Sequence, residues 1–376
     1  MSDYAVRGDL AIGGRLVPGA VVVNDGRIVA IERSVRDGDL PERVIDAEIV
    51  SPGFIDLQVN GGYGVDVDDR PETFRELAKR LPESGVTSYL PTLISSMPDV
   101  YAPVFDAFET AMNAPGARAL RLHLEGPFLS PVRKGAHPIA ALEAANSALF
   151  ERIADPSLVA LMTLAPERDG ALNRIRALRE RGIVVSLGHT DATVDQFTAG
   201  VDAGAKMATH LFNAMSPFGH RAPGAIGAVL VEDRIAVGLI ADGIHSHPMA
   251  VQLAVRAKGV ERIALVTDMM AAAGMPPGTY LLGGQDVATD GISARLPDGT
   301  LAGAILLMND AIRNVVNWTG IGLADALRMA TDVPARLLGR DDVGQLRVGA
   351  RADLALIDRN VDVQQTIIGG VVTFAR

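Results

Sequence analysis

Eight short apolar runs recur along the middle of this 376-residue chain, and their number is what most restricts its fold. They are SPGFIDLQVNG (51–61), VTSYLPT (86–92), ALRLHLEG (119–126), LVALMTLAPE (158–167), GIVVSLGHT (182–190), AKMATHLFN (205–213), IAVGLIADG (235–243) and RIALVTDMM (262–270). Helical patterns lie between them, as in PETFRELAKRLPES, ALNRIRALRERG and PMAVQLAVRAKGV. Repeated strand–helix units of this count predict a closed (β/α)8 TIM-type barrel. The alternative is an open doubly wound sheet, but no phosphate-binding GxGxxG follows the first strand.

The two ends have a different texture. YAVRGDLAIGG, AVVVNDGRIVAIE and RVIDAEIV near the start, and VGQLRVGARADLALID and VQQTIIGGVVTF near the finish, read as short strands, with NDGRI as a hairpin turn. The expected division is a small β-sandwich domain from 1–50 plus 344–376, around a barrel domain at 51–343.

Within the barrel segment each apolar run ends on polar residues. His123 and Glu125, His189, His210 with Asn213, Asp242 with His245, and Asp268 all stand at or just past such ends. In a parallel barrel these ends share one face, where active sites are built. Singly, a strand-end histidine reads as a hydrogen-bonded structural residue and Asp268 as a turn cap; their grouping favours a site. His220 and His247 read as solvated loop residues.

The chain has no cysteine, which excludes disulfides, thiolate chemistry and a cysteine-held zinc. Imidazoles and a carboxylate suit zinc or iron, so Glu125, His189 and His210 form a candidate metal site with room for water. Asp268 is then the candidate general base. A net charge of −10 argues against nucleic acid or an anionic membrane as partner. No signal-peptide pattern or apolar run of membrane-spanning length is visible, so a cytosolic protein is expected.

The stretches PGFIDLQVNGG, HLEGPFLSPVRKGAHP, SLGHTDAT, THLFNAMSPFGHRAPG, GLIADGIHSHP, LVTDMMAAAGMPPGTY and GTLAGAILLMNDAIRN occur in an order that resembles the amidohydrolase superfamily. Within it they look like the N-acetylglucosamine-6-phosphate deacetylase family. The resemblance covers most of residues 50–320 and implies amide hydrolysis on a phosphorylated N-acetyl amino sugar, in amino-sugar metabolism. It implies one divalent metal ion per subunit, zinc first, with iron, cobalt or manganese as alternatives, on Glu125, His189 and His210. It implies Asp268 as general base and acid, and His137 as donor to the acetyl carbonyl, with Ala136 beside it in the substrate pocket. Asn213, Ala214, Arg221 and His245 would hold the sugar phosphate, and Leu301, Ala302 and Gly303 would line the sugar. It further implies a homodimer in which Arg221 reaches the neighbouring active site. An arginine-rich cation set, with only four lysines among 35 Lys and Arg, suits bidentate phosphate binding.

Two features depart from the wider superfamily. Gln58 and Asn60 stand where many members carry a metal-binding His-x-His, and an amide is a poor transition-metal ligand. None of Lys79, Lys134, Lys206 and Lys258 ends an apolar strand, so no lysine is placed to bridge two metals. One metal is therefore expected, with Gln58 and Asn60 bonding its ligands or water; the alternative is two structural amides at the barrel mouth. Rival readings are a deacetylase of another amino-sugar phosphate, such as the galactosamine isomer, and a non-catalytic binding protein on the same scaffold. The latter predicts loss of the metal ligands or of Asp268.

Overall fold

The computed structural model describes residues 3–33 and 40–376. Residues 1–2 and 34–39, part of the segment expected at 1–50, lie outside the described residues.

Each of the eight apolar runs contains a strand: β1 (Phe54–Val59), β2 (Val86–Ile94), β3 (Leu122–Glu125), β4 (Val159–Leu164), β5 (Val184–Leu187), β6 (Met207–Ala208), β7 (Ala236–Leu239) and β8 (Ile263–Leu265). They pair in chain order and in parallel from β1 to β8. The ring closes where Val59 bridges Met269 and where Asn60 N–H donates to the Met269 carbonyl at 2.9 Å. The expected TIM-type barrel is therefore present. Strands covered on both faces read as continuous apolar runs rather than alternating ones, and all nine residues of β2 are buried. The helices between them carry their apolar residues on one side, as in Pro71–Arg80, which buries Phe74, Leu77 and Ala78.

The two ends meet in one seven-stranded sheet. Its order is Val371–Ala375, Val363–Ile368, Leu354–Ile357, Arg43–Pro52, Tyr4–Ile12, Arg15–Asn24, Arg27–Glu32. The join is antiparallel, with Leu354 opposite Pro52 and Ile357 opposite Ile49. Val6, Leu10, Val21, Ile28, Leu354 and Ile367 belong to an apolar cluster separate from the barrel core. Asp25 and Gly26, with φ of 45° and 74°, make the expected hairpin turn. VGQLRVGARADLALID is less regular than its composition predicts. Only Leu354–Ile357 is strand, because Gly344 and Gly349 turn the preceding chain through left-handed backbone. Arg118 Nη1 reaches Asp353 at 2.9 Å and ties the barrel to this sheet.

A third element had no counterpart in the expected strands. Gly278–Leu282, Gln285–Thr289 and Ala294–Arg295 form a three-stranded antiparallel sheet beside the barrel mouth. Its first turn is Gly283–Gly284, with φ of 55° and 76°, a two-residue turn that needs positive φ twice.

Candidate active site

On β1, alternate residues share the interior face, so Asp56, Gln58 and Asn60 form a polar column up to the mouth. Glu125 ends β3, while His189, His210 and Asp268 lie two or three residues past β5, β6 and β8. All seven are buried. His189, His210 and Asp268 have φ of 46°, 26° and 51°, left-handed values for side chains that rarely adopt them. Phe212 and Ala214, in the loop after β6, share this conformation. Such backbone costs on the order of 1–3 kcal/mol per residue and concentrates at working sites.

Glu125 Oε1 lies 3.0 Å from His210 Nε2 and 3.3 Å from His189 Nε2, and the two nitrogens are 3.1 Å apart. His189 Nδ1 faces the Arg133 carbonyl at 2.9 Å. A carbonyl only accepts, so the proton is on Nδ1 and Nε2 turns its lone pair toward the other two atoms. Nitrogen, nitrogen and carboxylate oxygen converge at separations near the roughly 3.4 Å edge of a tetrahedron with bonds of about 2.1 Å. This donor set fits a divalent metal ion. It is the one such group of three among the described residues. Burial alone raises the Glu125 carboxyl, but the bonds and charges of His189 and His210 outweigh it and hold Glu125 well below the carboxylate range. Against burial, the same partnership raises His210.

Gln58 Nε2 donates to Glu125 Oε1 at 3.0 Å and to Asp268 Oδ1 at 2.9 Å, and Asn60 Nδ2 donates to the same Oδ1 at 2.7 Å. The Gln58 amide thus joins a metal-site carboxylate to the candidate base, and Asn60 adds a second bond to the base. Asp268 is pushed up to about 6, first by burial and then by the Glu125 charge. His137 Nδ1 accepts from the Ser95 backbone N–H at 3.2 Å, which places the ring proton on Nε2, 3.6 Å from Glu125 Oε2. Burial, followed by the neighbouring His189, holds the His137 imidazole well below its ordinary value, so it presents a neutral N–H to the site.

These groups open onto a cavity of about 360 Å³, within the range of small-molecule sites. Asn60, Glu125, Ala136, His137, His189, His210, Asn213, Ala214, His245, Asp268, Leu301 and Gly303 all line it. His245 Nδ1 is 2.7 Å from Asp242 Oδ2. Burial of Asp242 is outweighed by this bond and by the N–H groups of Ile244 and His245, which leave it below the usual carboxylate range. Gln58 stands behind Asn60 and does not reach the cavity.

Two expectations are placed differently. His123 is turned into the barrel, between Thr92 Oγ1 at 3.3 Å and Thr163 Oγ1 at 2.8 Å, and burial lowers it to about 4; its strand-end position is structural. Ala302 is fully buried and its N–H goes to the Ala294 carbonyl, so it backs the pocket wall without lining it. Arg221, expected to serve a neighbouring active site, is exposed and does not line the cavity of its own chain.

Several residues were invisible in the pattern. Ser95 and Arg133 orient His137 and His189 through loop contacts, which no periodicity signals. Below the site, Thr163, Thr209 and Ser186 hydroxyls connect at 2.7 and 2.6 Å, extending the bonds of His123 across the barrel. Asp56, two residues before Gln58 on the same face, bonds Thr267 Oγ1 at 2.6 Å; its place in the column was the available signal.

The comparisons agree with this geometry. The "Amidohydrolase family" model matches residues 49–373. The N-acetylglucosamine-6-phosphate deacetylase of Bacillus subtilis (strain 168) is 40% identical over 368 residues, covering 95% of this chain and 93% of that protein. The N-acetylgalactosamine-6-phosphate deacetylase of Escherichia coli O157:H7 is 40% identical over 356 residues, covering 93% of each. The crystal structure of N-acetylglucosamine-6-phosphate deacetylase from Pasteurella multocida superposes with a TM-score of 0.94 at 33% identity, covering 100% of both chains. A metal-type cluster at the mouth of a (β/α)8 barrel, an adjoining sheet made from both chain ends, and matches of this length together place the chain in the amidohydrolase family.

Proposed function

We propose that this protein hydrolyses the acetamide of N-acetylglucosamine-6-phosphate, giving glucosamine-6-phosphate and acetate. The observation that carries the reading is the convergence, in one cavity, of the Glu125–His189–His210 cluster, the neutral N–H of His137 and the raised carboxyl of Asp268.

Glu125, His189 and His210 would hold one divalent ion, zinc in this proposal, which when bound supplies Lewis acidity toward a carbonyl and acidifies water. Asp268, its Oδ1 fixed by Gln58 and Asn60, takes the proton of the attacking water. It then returns that proton to the nitrogen as the carbon–nitrogen bond breaks. His137 Nε2–H donates to the amide oxygen as charge gathers there, a contribution of about 3 kcal/mol where such donors have been removed. Asn213, Ala214 and His245 hold the sugar phosphate, and Ala136, Leu301 and Gly303 line the sugar.

Arg221 is assigned to the active site of a second copy. Its exposure, its absence from its own cavity and the exposed Phe218 three residues before it support a homodimer that buries this loop. The single-metal reading rests on Gln58 and Asn60, amides that stand at the end of β1 where an imidazole pair would be needed and that are poor transition-metal ligands. Metal analysis is expected to find one tightly bound ion per chain; two would overturn it. The two-part division at 1–50 plus 344–376 and 51–343 is kept as part of the same proposal, supported by the separate apolar clusters.

The test is acetate release from N-acetylglucosamine-6-phosphate by the zinc-loaded protein, with the galactosamine isomer assayed alongside. Release, with the higher kcat/KM for the gluco substrate, is expected. No release by metal-bound protein defeats the reading, and a higher value for the isomer reassigns the sugar.

A further inference from the structure

The barrel mouth is a ring of mostly polar strand ends, broken at β2 beside the candidate metal site. On β2, Thr92 faces inward to His123, so Ile94, two residues on, is the next inward side chain and pairs in register with Glu125. It lies between the amides of β1 and the carboxylate of β3, where every other group described is polar. It is 5% exposed and lines the cavity.

Leu282, at the tip of the added three-stranded sheet, covers the same corner. It is 3% exposed, lines the cavity and shares an apolar cluster with Ile94, against which Ala136 packs. The tip is held from two sides. Gln285 Nε2 donates to the Ala136 carbonyl at 2.9 Å, and the buried Asp66 carboxylate accepts from the Gly283 and Gly284 N–H groups. Gly283 has no room for a side chain: a Cβ there would lie 2.5 Å from Ile94 Cδ1. The corner adjoins His137, which follows Ala136 and whose Nδ1 is bonded by Ser95, the residue after Ile94. Of the other large apolar side chains on the cavity, Val132 is 71% exposed and Leu301 partly exposed.

We propose that Ile94 and Leu282 form the acyl-selectivity pocket of the enzyme, receiving the methyl of the acetyl group and excluding longer acyl chains. The inference rests on the deacetylase reading above. A phosphorylated N-acetyl amino sugar presents hydroxyls, a phosphate and an amide, and its one methyl is on the acyl carbon. A small apolar corner beside the N–H that faces the amide oxygen matches that methyl. Its back wall is closed by the immobilised glycine turn, so a longer chain meets packed atoms.

The test compares kcat/KM for the N-acetyl, N-propionyl and N-butyryl amides of glucosamine-6-phosphate, using the metal-loaded protein. In the unmodified enzyme each added methylene should lower kcat/KM by about tenfold or more. Leu282→Ala and Ile94→Ala should each raise the butyryl-to-acetyl ratio at least about tenfold. Ile94 is on a barrel strand, so I94A decides the question if L282A loses its hairpin. Unchanged ratios in folded variants, or no discrimination among acyl lengths by the unmodified enzyme, overturn the proposal while leaving deacetylation intact. Failure of the unmodified enzyme on all three amides refutes the deacetylase reading and this proposal with it.

Discussion

A group that takes a proton and gives it back works best when its pKa is close to the pH of its medium. Burial and the Glu125 charge both oppose ionisation of Asp268 and push it up to about 6, toward that condition. Asp268→Asn retains a shape that can sit beside Gln58 and Asn60 but cannot accept the proton. Turnover should fall on the order of 10²–10⁴-fold, while calorimetry still detects binding of substrate; near-normal turnover would move the base elsewhere. Asp56 offers a second test at this scale. Burial pushes it up to about 7, although Thr267 and the Gln58 N–H bond its carboxylate. A carboxyl raised on folding is favourable while protonated, so its stability is fully present below about pH 4 and is lost as pH rises through about 7. Asp56→Asn keeps an acceptor for the two N–H groups and does not ionise. The variant should therefore gain thermal stability relative to the parent between pH 5 and pH 8, read by calorimetry; a constant difference would deny the shift. The Gln58–Asn60 pair was legible from β alternation alone. Ser95 and Arg133 were not, because each bonds a histidine distant in sequence and leaves no spacing to read.

At the level of elements, the barrel strands were legible because burial on both faces leaves an unbroken apolar run ending in polar residues. The 278–295 sheet was not. Gly278–Leu282 is mostly exposed, so its residues carry no apolar period, and the glycines at 278, 283, 284 and 291 read as loop. Its Gly-Gly pair was the signal available. Helix ends were equally hard to foresee. The helix Gly224–Val231 has no cationic residue in its last turn, yet Lys258, from the end of the helix Pro248–Lys258, places Nζ 3.0 Å from the Val229 carbonyl and also bonds Glu232. A remote ammonium thus adds to the 3.3 Å bond that the Val229 carbonyl already receives from the Glu232 N–H, and serves the Glu232 carbonyl beyond the helix end. Lys258→Met keeps the stem but removes the ammonium from one buried and one partly buried carbonyl. It should lower unfolding stability by about 1–3 kcal/mol in denaturant titrations, with kcat little changed; an unchanged midpoint would show that other donors take over.

For the whole molecule, the dimer proposal makes a prediction that no single chain can satisfy. Arg221→Ala and Asp268→Asn proteins should each be poorly active. Mixed under conditions that exchange subunits, they should recover activity above either parent, because the Arg221→Ala subunit keeps its base and receives Arg221 from its neighbour. No recovery in demonstrated hybrids would return Arg221 to its own site or to solvent.

The joining of both chain ends in one sheet also has a consequence in time. Strand Arg43–Pro52 leaves the ribosome early, yet its partner Leu354–Ile357 follows about 300 residues later, roughly 15–60 s at ordinary rates of synthesis. Throughout that interval the early strands present an unpaired edge that can pair with another nascent chain. The nascent chain is therefore most exposed to aggregation before its final strands emerge, and slow translation through the barrel would lengthen that exposure.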